Sequence, residues 1–343
     1  MSAAPRAVAG LEPARPTLLR VEDLVVEFVT RDGVVHAVNG ASFDLGPGET
    51  LGIVGESGSG KSVSAMSVTG LIPSPPARIV RGAAYLDGED LLTASPRRLR
   101  ELRGREIAVI FQDPMTALNP VFTIGSQMTE AIRVNDRAVS RRAARDRAAD
   151  LLARVGIPRP RERLKQYPFE LSGGMRQRVM IAMAIANRPR ILIADEPTTA
   201  LDVTVQAQIL DLLALAQEEL QAATILITHD LGVIAELADR VAVMYAGRVV
   251  ETAAVGDLFD HPVHPYTEAL LASRPAAVPD GEDMFQIPGV PPTPLGDLPP
   301  GCAFAPRCHR RDGRARCVTE SPASWDVAPR HRAACHFWTE APA

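Results

Sequence analysis

Eight consecutive residues carry the clearest chemistry in this chain: Gly55-Glu56-Ser57-Gly58-Ser59-Gly60-Lys61-Ser62. They fit the pattern G-x-x-x-x-G-K-[ST], in which each fixed position has a task. The glycines let backbone N–H groups turn inward and cradle phosphate oxygens. A helix beginning near Lys61 aims its positive dipole end at the same place. The Lys61 ammonium reaches the β- and γ-phosphates, and the Ser62 hydroxyl ligates Mg²⁺. The expected nucleotide-binding run is Gly55 to Val63. Such a loop needs an acidic metal partner at the tip of a neighbouring buried strand. Ile191-Leu192-Ile193-Ala194-Asp195-Glu196 supplies it. Asp195 would orient Mg²⁺ through its water shell. Glu196, one residue on, can polarise a water aimed at the γ-phosphate. The plain alternative is two carboxylates that merely end a strand.

A second glycine motif, Leu171-Ser172-Gly173-Gly174-Met175-Arg176-Gln177-Arg178, precedes the apolar run Val179 to Ala186. Ser172 can cap a helix there, and Gly173-Gly174 expose its first amides, which makes a second anion site. One chain rarely needs two γ-phosphate sites of its own. Two chains facing head to tail would use both, each Ser-Gly-Gly closing the other's γ-phosphate.

These residues must be positioned by strands and helices. Leu24–Phe28, Leu51–Val54, Ile191–Ala194, Thr224–Ile227 and Val241–Met244 read as short strands. Helices are expected at Lys61 to Leu71 (ended by Pro73), Val203–Leu220 and Gly232–Ala238. Strand–helix alternation implies a mostly parallel α/β sheet. The Ala/Arg/Leu-rich block in the middle reads as an inserted helical subdomain over about 113–185. Residues 1–17 read as a flexible Pro/Ala tail, 18–260 as the ATPase domain, and 261–343 as a Pro/Cys-rich C-terminal extension.

The bulk numbers exclude other classes. The 343 residues are 46% hydrophobic and 23% charged, as in a soluble globular protein, and are ample for a sizeable core. A net charge of −4 gives no global basic field for nucleic acid. The arginine runs at 97–100 and 141–147 read as solvated helix faces. No opening stretch is apolar enough for a signal peptide, and no window approaches the roughly eighteen apolar residues of a membrane span. The expectation is a cytoplasmic chain whose membrane role runs through partners.

In their order these motifs resemble the ATP-binding cassette family over residues 18 to about 260. The phosphate loop is followed by a glutamine loop at Gln112 and the signature at Leu171–Gln177. Then come the acidic strand end, the Thr199-Ala200-Leu201-Asp202 segment and the switch histidine His229. The resemblance implies a P-loop NTPase fold and ATP hydrolysis, with Lys61, Gln112, Glu196 and His229 catalytic. It implies Mg²⁺ on Ser62, Gln112 and Asp195, and nucleotide contacts from Ser172, Gly173, Gly174, Gln177 and Asp202. Phe28 stands where the family's adenine-stacking aromatic sits; in a strand it also reads as core. The rival class, a soluble cassette ATPase acting on ribosomes or DNA, usually carries two cassettes or a long coiled-coil insert; this sequence shows a single cassette, no heptad run and no basic excess.

Two stretches narrow the resemblance to the peptide (and related nickel) importers: Phe111-Gln112-Asp113-Pro114-Met115-Thr116-Ala117-Leu118-Asn119-Pro120 and His261-Pro262-Val263-His264-Pro265-Tyr266-Thr267. The resemblance implies a second ATPase subunit, two transmembrane permease subunits, an extracytoplasmic solute-binding protein, and a place on the cytoplasmic face of the membrane. All four cysteines, Cys302, Cys308, Cys317 and Cys335, fall in the extension with the spacing C-x5-C-x8-C-x17-C. Their clustering argues for a shared ligand site. The spacing matches neither common zinc pairs nor the usual ferredoxin patterns. Gly301-Cys302-Ala303-Phe304-Ala305-Pro306-Arg307-Cys308 resembles the importer extension, some members of which hold a [4Fe–4S] cluster. The ranking is iron–sulfur, then zinc, then free thiols.

Overall fold

The computed structural model describes residues 16–199, 201–274 and 285–340. Most of the expected N-terminal tail, residue 200 and the stretch 275–284 lie outside the described residues.

Five short, wholly apolar or nearly apolar strands make the centre of the molecule. Arg240–Tyr245, Thr50–Val54, Ala223–Ile227, Ile191–Asp195 and Ile107–Ile110 lie side by side and parallel, in that order. Strands buried on both faces read as continuous hydrophobic runs, and these do. The period-2 alternation still sorts their side chains. Ile191, Ile193, Ile225, Ile227 and Met244 enter one core. Leu192, Ala194, Leu226, Val243 and Tyr245 enter the other. Each fully buried aliphatic side chain contributes roughly 1.5–3 kcal/mol, so the sheet is anchored from both sides.

The first core is closed by a four-stranded antiparallel sheet of Gly33–Leu45, Leu19–Thr30, Ala77–Leu86 and Glu89–Asp90. The second is closed by helices, among them Ile124–Asn135, Arg141–Arg154 and Gly173–Ile185. Thr123, Ser140 and Ser172 cap these three, each side chain accepting from the backbone N–H three residues on.

The helix after the phosphate loop runs Lys61–Val68, shorter than expected. Gly70, at φ 62°, ends it. The Gly70 N–H donates to the Ser67 carbonyl and the Leu71 N–H to that of Met66, the paired bonds of a Schellman stop. Pro73 is not needed to break it.

The C-terminal segment is continuous with the central sheet. Strand Arg248–Ala254 pairs antiparallel with Arg240–Tyr245; His331–Ala333 and Trp325–Ala328 follow it outward. The buried Glu251 carboxylate holds three pieces of chain together. It accepts from the N–H groups of Val263 and His264 at 2.8 and 2.9 Å and faces His331 Nε2 at 2.7 Å. No helix among the described residues is long and apolar enough to cross a membrane.

Candidate active site at the strand ends

In open α/β sheets, ligands bind beyond the carboxyl ends of the strands. Here three such ends stand together, since Ile53 and Asp195 both pair with Ile227. Each end leads into a motif: Gly55–Ser62, Asp195-Glu196, and Thr228-His229.

The loop conformation explains its glycines. At Gly55, φ is 150°, and a Cβ would lie 2.1 Å from the Met244 carbonyl oxygen. At Gly60, φ is 96°, and a Cβ would meet the Ala37 carbonyl oxygen at 2.4 Å. No side chain fits at either position. Gly58 also has a left-handed φ, 77°, but open space around it. Lys61 folds back over the loop, its ammonium donating to the Gly55 and Glu56 carbonyls at 2.8 and 2.9 Å. Burial pulls the Lys61 ammonium below its usual range, against the charges of Glu196, Asp195 and Glu56. Ser59 is buried, and its Oγ has no partner among the described residues. Ser57 and Val63 sit in the loop and the first helical turn.

Ser62 Oγ donates to Asp195 Oδ1 at 2.7 Å. Burial raises the Asp195 carboxyl, and the Ser62 bond partly offsets this. A hydroxyl and a carboxylate in contact are the hard oxygen donors that suit Mg²⁺, which takes one or two protein ligands and fills the rest with waters and substrate phosphates.

Glu196 takes an unusual backbone for a residue with a side chain, φ 44°. Its N–H is fixed to the Ile227 carbonyl at 2.8 Å. The turn aims its carboxylate at a single point of convergence. Oε2 accepts from Gln112 Nε2 at 3.0 Å and Thr199 Oγ1 at 2.8 Å, and His229 Nδ1 stands 3.7 Å away. Gln112 and His229, which the resemblance alone had grouped with Glu196, stand beside it here. Thr199 joins them; it lies in the segment flagged in the sequence but carried no assigned role there.

The remaining candidates sit elsewhere. Ser172 caps the helix Gly173–Ile185 through the Met175 N–H at 3.3 Å. Gly173 has open space around it, whereas a Cβ on Gly174 would strike Val205 Cγ1 at 2.8 Å. Gln177 is buried and donates to the Pro197 carbonyl at 2.8 Å, bracing the signature helix against the Glu196 turn. Asp202 caps the helix Val203–Leu220. Phe28 packs, half-buried, against the core of the antiparallel sheet.

Burial pushes the Cys302 thiol up to about 11, and nearby Cys308, Cys335 and Cys317 push the same way. Burial likewise raises Cys308 and Cys335. The Cys302 N–H donates to the Cys317 carbonyl at 2.8 Å. The four cysteines are thus gathered in one half-buried place. Yet no group of three or more His, Cys, Asp or Glu side chains among the described residues is placed to hold a metal ion. Neither the iron–sulfur nor the zinc expectation gains support from ligand geometry.

Residues missed in the sequence include Tyr266 and Arg307. The Glu56 N–H donates to the Tyr266 hydroxyl at 2.9 Å, and the Arg307 guanidinium grips the Glu56 carboxylate. Both contacts come from more than 200 positions away, so the stretches that contain these residues do not announce their partner.

Known proteins with matching sequence and fold complete the assignment. Residues 38–199 match the family model described as ABC transporter, and residues 250–317 the one described as oligopeptide/dipeptide transporter, C-terminal region. The oligopeptide transport ATP-binding protein OppD of Bacillus subtilis is 53% identical over 84% of this chain and 81% of its own. The dipeptide transport ATP-binding protein DppD of the same organism is 52% identical over 86% and 87%. The ATP-binding cassette MJ0796, solved as a dimer in a post-hydrolysis state with ADP and Pi, superposes with a TM-score of 0.62 at 27% identity. That match covers 69% of this chain and 98% of that one. The chain belongs to the ATP-binding cassette transporter family and is an ATPase with the oligopeptide/dipeptide transporter C-terminal region.

Proposed function

We propose that this chain hydrolyses ATP to power the import of peptides through a membrane transporter. The observation that carries the chemistry is the meeting of Gln112, Thr199 and His229 on Glu196 beside the Ser62–Asp195 pair. Glu196 holds the attacking water and takes its proton at Oε2. Lys61 and the loop amides bind the phosphates, and His229 contacts the γ-phosphate. Ser62, Asp195 and Gln112 would hold Mg²⁺, which supplies charge neutralisation at the phosphates when bound. Phe28 stacks on the adenine, and Asp202 lines the junction between chains.

The site is half of a composite one. Ser172, Gly173 and Gly174 of this chain close the γ-phosphate on a second ATPase subunit, and that subunit returns the same service. The dimeric state of the MJ0796 cassette supports this. Closure on ATP and reopening after hydrolysis move two permease subunits, fed by an extracytoplasmic solute-binding protein, with this chain on the cytoplasmic face. Peptides are the cargo because the relatives named above transport oligopeptides and dipeptides at 52–53% identity. The four cysteines hold an iron–sulfur cluster that staples the extension. The gathering of four soft thiols supports a soft-metal group there, and the resemblance of Gly301–Cys308 to the importer extension puts iron–sulfur ahead of zinc.

Reconstitution tests the reading. Co-expressed with its two permeases and the partner ATPase in vesicles, the chain should drive ATP-dependent uptake of labelled peptide delivered by the binding protein. Uptake that is indifferent to Lys61→Ala in this chain contradicts it.

A further inference from the structure

Glu56 is the first variable residue of the phosphate loop, and every polar group it carries is engaged. Its carbonyl accepts from Lys61 Nζ and, at 3.2 Å, from the Ser59 N–H. Its N–H meets the Tyr266 hydroxyl. Its carboxylate oxygens take the two arms of Arg307, Nη1 to Oε2 at 2.7 Å and Nη2 to Oε1 at 3.0 Å.

Arg307 is as fully spent. Its side chain is 5% exposed. Nε donates to the Pro288 carbonyl at 2.9 Å, Nη1 also to the Tyr245 hydroxyl at 3.3 Å, and Nη2 also to the Ile287 carbonyl at 3.4 Å. All five N–H donors of a guanidinium thus have partners. The residue sits on a short turn, Ala305–Arg307, between Cys302 and Cys308. The turn is wedged in by Phe304, 1% exposed, whose ring meets Tyr245 and Tyr266 edge-on at 5.3 and 5.4 Å. A charge this deep is retained only where it is paired, and a planar fork matches a carboxylate better than any ammonium can.

We propose that Arg307 is a positioning residue for the phosphate loop: the C-terminal extension sets nucleotide affinity in cis by gripping Glu56 through this bidentate pair. The inference rests on the reading of Gly55–Ser62 as the ATP site. It makes the cysteine-bearing turn a strut of that site, so that ATP affinity depends on the extension being docked. The grip acts on the loop's resting shape, before and after chemistry alike. It therefore changes binding and leaves the hydrolytic step alone, which raises KM with kcat unchanged.

The test uses the full-length chain for titration of Mg-ATP by calorimetry, and its assembly with permeases for steady-state hydrolysis. Wild type and Lys61→Ala establish the loop: wild type binds and Lys61→Ala does not. A wild-type chain that binds no ATP overturns the loop assignment and this inference with it. Given wild-type binding, Arg307→Gln should weaken ATP about tenfold and raise KM similarly, with kcat within about twofold. Arg307→Lys should recover only part of the loss. Glu56→Gln should match Arg307→Gln, and the double variant should be no weaker than either single, because both remove one interaction. Should Arg307→Gln fail to fold, Glu56→Gln carries the test with the same thresholds. ATP affinities within twofold of wild type in the singles, or losses that multiply in the double, overturn the inference.

Discussion

Glu196 Oε2 accepts from Gln112 and Thr199, with His229 3.7 Å off, so the protein's own side chains aim the carboxylate. Ser62 and Asp195 are held together independently, at 2.7 Å. Removing either should weaken the metal without disturbing Glu196. Ser62→Ala and Asp195→Asn should each raise the Mg²⁺ concentration for half-maximal hydrolysis by about tenfold, near 1.4 kcal/mol. A Mg²⁺ titration of the ATPase rate checks this; an unchanged midpoint rejects the pair as metal ligands. The loop and the strand end were legible because they are short motifs whose chemistry follows from residue type; Gln112 and His229 came from the family resemblance, since a lone glutamine or histidine names no role. Arg307 and Tyr266 lay inside the stretches that carry the resemblance, but their role was not legible: their partner Glu56 is more than 200 positions away until folding brings them together.

Elements were read well where one rule decided them and poorly where two competed. Val203–Leu220 is the helix expected, and four of the five central strands lie within a residue or two of their apolar runs; the fifth, Ile107–Ile110, was not expected. The antiparallel sheet over the first core was missed, since only Leu24–Phe28 of its strands stood out as apolar; Gly33–Leu45 and Ala77–Leu86 are largely half-exposed and mixed. The first helix ended early because Gly70 stops it before Pro73 can.

The second glycine of the signature is fixed by packing, so Gly174→Ala should push the helix Gly173–Ile185 away from Val205. Hydrolysis in the assembly should fall at least tenfold, with ATP binding by the isolated chain unchanged, if that helix serves the partner's nucleotide. Equal loss of binding by the isolated chain would contradict the composite site.

His264, at the start of the helix Pro265–Ala272, caps it by accepting from the Tyr266 N–H at Nδ1. Burial lowers its pKa to about 4 from 6.5; Glu251 opposes this and Arg310 adds to it. The unfolded chain therefore binds the extra proton between those values, and stability falls as pH drops through that window. Between pH 6.5 and 5 the loss is about 2 kcal/mol. His264→Asn keeps an acceptor for the cap and removes the titration, so melting temperatures at pH 7.5, 6 and 5 should fall less steeply in the variant. Parallel slopes would exclude His264 as the source.

At the scale of the whole molecule, a sheet between two cores presents its strand ends on one side, and the C-terminal extension is built into that arrangement. Its strands lengthen the sheet and its turn reaches the phosphate loop. The composition shift near residue 260 is real, yet strand pairing and Arg307 carry the fold across it. Clustering marked the cysteines as one site but does not name a metal; the iron–sulfur ranking came from the resemblance of Gly301–Cys308 to the importer extension. Protein purified without oxygen should absorb broadly near about 400 nm if they carry iron and sulfur; a colourless chain with stoichiometric zinc reverses that assignment.

The central claim is that Glu196 activates water for ATP bound at Gly55–Ser62. Single-turnover hydrolysis by the assembled transporter, wild type against Glu196→Gln, addresses it most directly. The account predicts that the variant retains tightly bound ATP while its rate falls at least a hundredfold, by about 2.7 kcal/mol or more. Hydrolysis by the variant within about twofold of wild type would contradict it.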